Sequence, residues 1–135
     1  MSAFVLDTSA IFTVLNGEEG LETVASLLNR ARDSEVIIYL PFMALMEIEY
    51  LTLRKASFEE TQYLLTLVKS WPVQQIESSE EWRHLAAEVK ARTPLSVADA
   101  WITALALLYH AQLVHKDPGF EQVPELSTLA LPYKR

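Results

Sequence analysis

The 135-residue sequence contains no cysteine. Disulfide bonds, cysteine-ligated zinc, iron–sulfur clusters and thiol nucleophiles are therefore excluded. The absence also suits a reducing compartment, so we expect a cytoplasmic protein. Half of the residues are hydrophobic, which is enough for a substantial core and argues against a disordered chain.

Targeting and membrane-spanning features are also missing. The first seven residues have no basic region and no long apolar region, so they do not form a signal peptide. The longest apolar stretch, Leu95 to Val114, approaches the length of a membrane span, but it contains Asp99, His110 and Gln112. A buried helix is the better interpretation, and we expect no membrane association. Without linkers, repeats or low-complexity segments, the sequence predicts one domain over residues 1–135.

An excess of positive charge is the third missing feature. The chain has 11 Lys and Arg against 18 Asp and Glu, a net charge of −7. Nucleic-acid-binding proteins usually present a basic surface, so this balance does not by itself favour one. Either the acids are ordinary solvated residues, or some of them bind a cation that contacts phosphate. The positions of the acids in the fold must distinguish these two alternatives.

Short apolar strands alternate with helices along the chain. Strands are predicted at 4–6, 36–40 and 113–115, with two further ones at 72–76 and 129–131. Helices are predicted at 10–15, 21–28, 42–54, 57–70, 78–89 and 97–110, two of them opened by capping boxes at Ser57–Glu60 and Ser78–Glu81. The pattern predicts an α/β fold with a mainly parallel sheet covered on both faces.

Four acidic residues occupy positions typical of a site. Asp7 and Asp117 follow predicted strands, at the edge where open parallel sheets bind ligands. Asp99 begins an apolar helix, and Glu47 lies within another without a cationic neighbour on its face. Each also has an ordinary structural interpretation. Asp7 and Asp117 suit helix N-caps, Ser96 to Asp99 has capping-box spacing, and Glu47 could reach solvent.

Taken together, the four acids suggest a metal site. At 4 Å and an effective dielectric of about 20, each pair of carboxylates repels by about 4 kcal/mol. Such a cluster requires a bound cation or protonation of some of its members. Ligation by oxygen alone favours Mg²⁺ or Mn²⁺. Zinc fits less well, because the three histidines are scattered along the sequence.

Four segments resemble the motifs of PIN-domain ribonucleases, in the expected order. They are Val5 to Ala10, Ala44 to Tyr50, Leu95 to Ile102 and Leu113 to Phe120. Their layout is most similar to the VapC-type toxins of VapBC toxin–antitoxin modules. The chain departs from the family at His115, where many members have Thr or Ser, and at Gly119, where many have Asp. These departures put the number of metal ions in doubt.

The resemblance implies a three-layer α/β/α sandwich and metal-dependent endonucleolytic cleavage of RNA to 5′-phosphate and 3′-hydroxyl ends. It also implies homodimerisation and inhibition by a cognate antitoxin. In the mechanism we expect, Asp7, Asp99 and Asp117 hold Mg²⁺ or Mn²⁺, and Glu47 orients or deprotonates the attacking water. Supporting or substrate-contacting roles are expected for Thr8, Ser9, Thr103, His115 and Lys116. For Thr8 and Ser9 the alternative is helix capping, and for Thr103 it is a hydrogen bond to its own helix. Glu49 is a weaker candidate for a supporting role.

RNA would have to approach an acidic protein, so candidate phosphate contacts matter. Lys116 and His115 adjoin the predicted site, and Arg54, Lys55, Lys90 and Arg92 are further candidates. For any one of them, an ordinary solvated charge is the simpler interpretation.

Other functions remain open from the sequence. An aspartyl phosphotransferase or haloacid-dehalogenase-like hydrolase would use Asp7 as nucleophile but usually has a second acid where Ser9 stands. A response-regulator receiver would carry its phosphoacceptor at the third strand, where this chain has Leu40-Pro41. A catalytically weak PIN-like RNA-binding or partner-docking module is the non-enzymatic alternative, and His115 and Gly119 keep it open.

Overall fold

The central element is a five-stranded, wholly parallel sheet. A computed structural model describes residues 1–134 of the chain. The strands lie in the order β3-β2-β1-β4-β5 and comprise β1 (Ser2–Leu6), β2 (Val36–Pro41), β3 (Gln74–Ile76), β4 (Gln112–His115) and β5 (Thr128–Ala130). The helices are α1 (Thr8–Leu15), α2 (Leu21–Arg32), α3 (Phe42–Leu53), α4 (Phe58–Lys69), α5 (Glu80–Arg92) and α6 (Val97–Leu108), with a 3₁₀ helix at Pro118–Gln122.

Side-chain alternation along the strands builds a core on each face of the sheet. Phe4 and Leu6 of β1 pack with residues of α1 to α4, whereas Val5 packs with residues of α5 and α6. Successive strand residues point to opposite faces, so a strand covered on both sides is apolar throughout. The predicted α/β/α sandwich is therefore confirmed.

The order of the strands places a crevice at the candidate site. From β1 the chain adds β2 and β3 on one side, then crosses over to add β4 and β5 on the other. In open α/β sheets, ligands bind beyond the carboxyl ends of the strands where the winding changes direction. Asp7 and Asp117 follow the two strands that flank this point, β1 and β4.

Two details of the helix prediction were wrong. The cap of α5 is Ser79 rather than Ser78, and its hydroxyl accepts a hydrogen bond from the Trp82 amide at 3.2 Å. Burial of Trp82, whose indole N–H donates to the Trp101 carbonyl at 2.7 Å, fixes this register. Helix α6 ends at Leu108 rather than His110, because His110 adopts a left-handed conformation with φ of 53°.

The apolar stretch Leu95 to Val114 is divided between α6 and β4. No helix within residues 1–134 is both long and apolar enough to cross a bilayer.

Candidate active site

Asp7 is a buried carboxyl at the end of β1, with only 5% of its surface exposed. It caps α1: its Oδ2 accepts hydrogen bonds from the amide of Ser9, at 3.1 Å, and from the Ser9 hydroxyl. The Ser9 Oγ in turn accepts a hydrogen bond from the Lys116 amide at 3.0 Å. Ser9 therefore ties the end of β1 to the segment that follows β4.

Glu47 faces this edge of the sheet from α3. Its Oε1 accepts a hydrogen bond from the buried Thr8 hydroxyl at 2.8 Å, across 39 residues of sequence. Thr8 and Ser9, both predicted to support the site, thus each hold one carboxyl in place. Glu49, the weaker candidate, is half-buried on the same helix.

The other two acids occupy the starts of helices. Asp99 lies in the first turn of α6, where its amide donates to the Ser96 hydroxyl at 3.1 Å. Asp117 caps the 3₁₀ helix, with its Oδ1 accepting from the Gly119 amide at 2.9 Å. Asp117 is exposed and Asp99 is half-buried. The capping roles that the sequence suggested are thus present.

The four carboxyls are also electrostatically linked. Burial, reinforced by the charge of Glu47, raises the pKa of Asp7 to about 6. Burial raises the pKa of Asp99 to about 6 as well, with further contributions from Asp7 and Asp117. The pKa of Glu47 is raised by burial and by Asp99. Capping and clustering therefore coexist in one acidic cluster, which we define as Asp7, Glu47, Asp99 and Asp117.

This acidic cluster is not arranged as a ready-made metal site. Among residues 1–134, no group of three or more His, Asp or Glu side chains is placed to hold a metal ion. Each capping or supporting bond, however, uses one carboxylate oxygen. For Asp7, Glu47 and Asp117, we find no hydrogen bond to the second oxygen from the described part of the chain.

Beside the acidic cluster lie two buried polar groups with unsatisfied atoms. His115 is fully buried, and its Nδ1 accepts a hydrogen bond from the Asp117 amide at 3.0 Å. Its Nε2 has no partner among the described residues, and burial lowers the pKa of the imidazole. The hydroxyl of Thr103, one turn beyond Asp99, also lacks a partner there, so the alternative of a hydrogen bond to its own helix is not observed.

Lys116, predicted to support the site or contact a substrate, forms an ion pair within the fold. Its ammonium group is almost fully buried and pairs with Glu18 at 3.1 Å, while Glu18 also pairs with Lys134 at 3.1 Å. The sequence analysis missed Glu18 and Lys134, because nothing in the local pattern links residues 98 positions apart. Arg92 pairs with Glu125.

An open parallel sheet with a crevice of carboxyls at its switch point defines a class of α/β proteins suited to binding a cation or a phosphate ester. Residues 4–126 match the family model described as the PIN domain. The chain therefore belongs to the PIN-domain family, as its motifs predicted. PIN domains are nucleases that generally use divalent metals, which supports a hydrolase acting on a nucleic acid.

Solved toxin–antitoxin complexes share this fold. The chain is similar to a chain of the Rickettsia felis VapBC2 complex, bound to a promoter DNA fragment, with a TM-score of 0.80 and 18% identity over 96% of this chain and 99% of that chain. A chain of the DNA-bound VapBC complex of Salmonella typhimurium has a TM-score of 0.78 and 20% identity, over 96% of this chain and 98% of that chain. A chain of VapBC-5 from Mycobacterium tuberculosis has a TM-score of 0.64 and 15% identity, over 97% of this chain and 98% of that chain. No curated protein matches the sequence significantly.

Proposed function

We propose that this protein is a metal-dependent endoribonuclease and the toxin of a toxin–antitoxin pair. The observation that carries the proposal is the acidic cluster, in which four segments bring mutually repelling carboxyls to one edge of the sheet. Folding keeps Asp7 and Asp99 at a pKa of about 6, which costs stability at neutral pH. An arrangement that costs stability suggests a functional reason for it.

The chemistry of these donors fits a hard divalent cation. All of them are carboxylate oxygens, the ligands that Mg²⁺ and Mn²⁺ prefer. We assign Asp7, Asp99 and Asp117 to the cation. The second oxygens of Asp7 and Asp117 accept no hydrogen bond from residues 1–134 and would be available for ligation. A bound cation would lower the pKa of a water molecule and offset charge on the phosphoryl oxygens.

Glu47 is our candidate general base. Its Oε1 is fixed by Thr8, and its raised pKa favours accepting a proton. In the proposed reaction a water oxygen bonds to phosphorus, Glu47 takes one proton of that water, and the bond to the 3′ oxygen breaks. The departing 3′ oxygen takes a proton from solvent. The products then carry 5′-phosphate and 3′-hydroxyl ends.

A cognate antitoxin is the proposed partner, since the similar solved structures include VapBC complexes. An exposed apolar surface supports protein contacts. Of the nine large hydrophobic residues exposed in the described part of the chain, six lie between 46 and 67, namely Met46, Tyr50, Leu53, Phe58, Tyr63 and Leu67. We assign this surface of α3 and α4 to protein–protein contact, including the homodimer.

A catalytically weak RNA-binding or docking module is the second candidate. It is favoured by the absence, within residues 1–134, of three acids placed to hold a metal. Metal binding without cleavage of any RNA would support this alternative.

The test compares Asp7→Asn and Asp99→Asn with wild type. Both variants should fold: at position 7 Asn caps a helix about as well as Asp, and at position 99 the backbone amide that donates to Ser96 is kept. Both should nevertheless lose cleavage of RNA in Mg²⁺ or Mn²⁺. Asp33→Asn, at the exposed end of α2, is the matched control and should cleave normally. Circular dichroism checks folding, and calorimetry with Mn²⁺ alone checks metal binding. Full activity in either site variant would remove the acidic cluster from the mechanism.

A further inference from the structure

A cleft of about 770 Å³ opens next to the acidic cluster. Thr8 and Ser9, which hold Glu47 and Asp7, form one end of it. Its walls come from α1, the end of α3, the segment after β4 and the C-terminal segment. We call it the basic cleft and define it by six lining residues: Phe12, Arg54, Lys55, Lys116, Tyr133 and Lys134.

The basic cleft reverses the charge balance of the protein. Four of the 11 Lys and Arg residues line it, against one of the 18 acidic residues, Glu18. Glu18 is occupied by Lys116 and Lys134, whereas Arg54 and Lys55 are exposed and form no ion pair with any residue from 1 to 134. A cleft in which one sign of charge predominates concentrates ligands of the opposite charge. The occupant should therefore be an anion.

Aromatic rings lie beside these cations. Phe12 and Tyr133 are half-buried, and the Lys55 ammonium is 5.6 Å from the centroid of the Phe12 ring. Cations that track a phosphate backbone, combined with aromatic faces that stack bases, are the means by which proteins bind single-stranded nucleic acid. An acidic peptide would complement the charges but has less use for the rings.

We propose that the basic cleft binds the single-stranded RNA nucleotides next to the cleaved bond, which rests on the proposed ribonuclease function. Arg54 and Lys55 bind the phosphates of that segment, and Phe12 and Tyr133 contact its bases. A strand passing from the basic cleft across Thr8 and Ser9 brings its next phosphodiester to the acidic cluster. The basic cleft thus positions the RNA strand, and the acidic cluster cleaves it.

The test uses the double variant Arg54→Gln/Lys55→Gln and the single variant Phe12→Leu. Arg32→Gln/Lys69→Gln is the matched control, because it removes the same charge at exposed positions outside the basic cleft. Binding of a fluorescent 12-nucleotide single-stranded RNA is measured by anisotropy in the Asp99→Asn background, which prevents cleavage. Each cleft variant should weaken RNA binding roughly tenfold. In the double variant, the slope of log affinity against log salt concentration should become less steep, by the amount expected for losing one to two phosphate contacts.

Cleavage kinetics separate this proposal from the proposed function. With active protein, the cleft variants should raise KM for the RNA and leave kcat near wild type. If no RNA is cleaved but the cleft variants still weaken binding, the ribonuclease proposal fails and RNA binding in the cleft stands. RNA binding equal to that of the control, or no binding by wild type, would overturn the cleft proposal. A third result would also overturn it: poly-L-glutamate binds the protein through Arg54 and Lys55, while the KM for RNA is the same in the cleft variants and in wild type. That result would assign the basic cleft to an acidic peptide.

Discussion

Replacing Asp7 by Asn should stabilise the metal-free protein at neutral pH. Asp7 is buried, and its pKa is raised from 3.8 to about 6. Between these values the folded protein binds more protons than the unfolded chain, so stability falls as the pH rises through this interval. Above pH 6 the full cost of the buried charge is present, and Asn removes that charge.

The magnitude follows from the shift. About two pKa units at roughly 1.4 kcal/mol each give a cost of about 3 kcal/mol at pH 8, and roughly half of that at pH 5. Asn keeps an oxygen for both hydrogen bonds from Ser9 and is an equally good N-cap. We therefore expect Asp7→Asn to gain about 2–3 kcal/mol at pH 8 and about 1 kcal/mol at pH 5.

Urea unfolding in EDTA at the two pH values measures this effect. Asp33→Asn is the control, and its smaller change should be equal at both pH values because Asp33 is exposed. Addition of Mg²⁺ should stabilise wild type more than Asp7→Asn, since a cation that binds only the folded state raises its stability. The reasoning is wrong if Asp7→Asn loses stability at both pH values, or gains no more at pH 8 than at pH 5.

Two further predictions concern the residues that hold the acidic cluster. Ser9→Ala should cost about 1–3 kcal/mol in urea unfolding, because it leaves the Lys116 amide without its partner. Ser26→Ala, at an exposed position in α2, should cost almost nothing, and equal losses would contradict the role of Ser9. Gly119→Ala should reduce RNA cleavage severalfold with less than about 1 kcal/mol of destabilisation, because the added Cβ would lie 3.1 Å from Asp117 Oδ1. Unchanged cleavage would show that displacing that carboxyl has no effect.

The fold was largely predictable because its strands are buried on both faces. A continuous apolar run such as Val36 to Leu40 is typical of a strand in a parallel sheet that is covered by helices on both faces, and β2 is such a strand. The placement of Asp7 at the carboxyl edge followed directly from its position after β1. The order of the strands was not predictable, since apolar runs of similar composition do not specify which strand pairs with which.

Contacts between distant residues account for what the sequence analysis missed. No local pattern singles out Glu18, yet it forms an ion pair with the buried Lys116, 98 positions away in the sequence. The basic cleft likewise combines Phe12 with Tyr133, which share no sequence pattern. Periodicity reports which face of an element is buried, but it carries no information about which charges meet when the elements pack.

The ordinary and the functional interpretations of the aspartates prove to be complementary. A cap needs one acceptor oxygen, so capping orients a carboxyl and leaves its second oxygen available, as at Asp7 and Asp117. If capping were the whole role, Asn would serve equally well at any pH, because it supplies the same acceptor. The raised pKa of Asp7 and Asp99 predicts otherwise, since a buried charge beside other carboxyls makes the substitution depend on pH. Helix capping therefore positions the acidic cluster, and the electrostatic repulsion within it is what a cation would relieve.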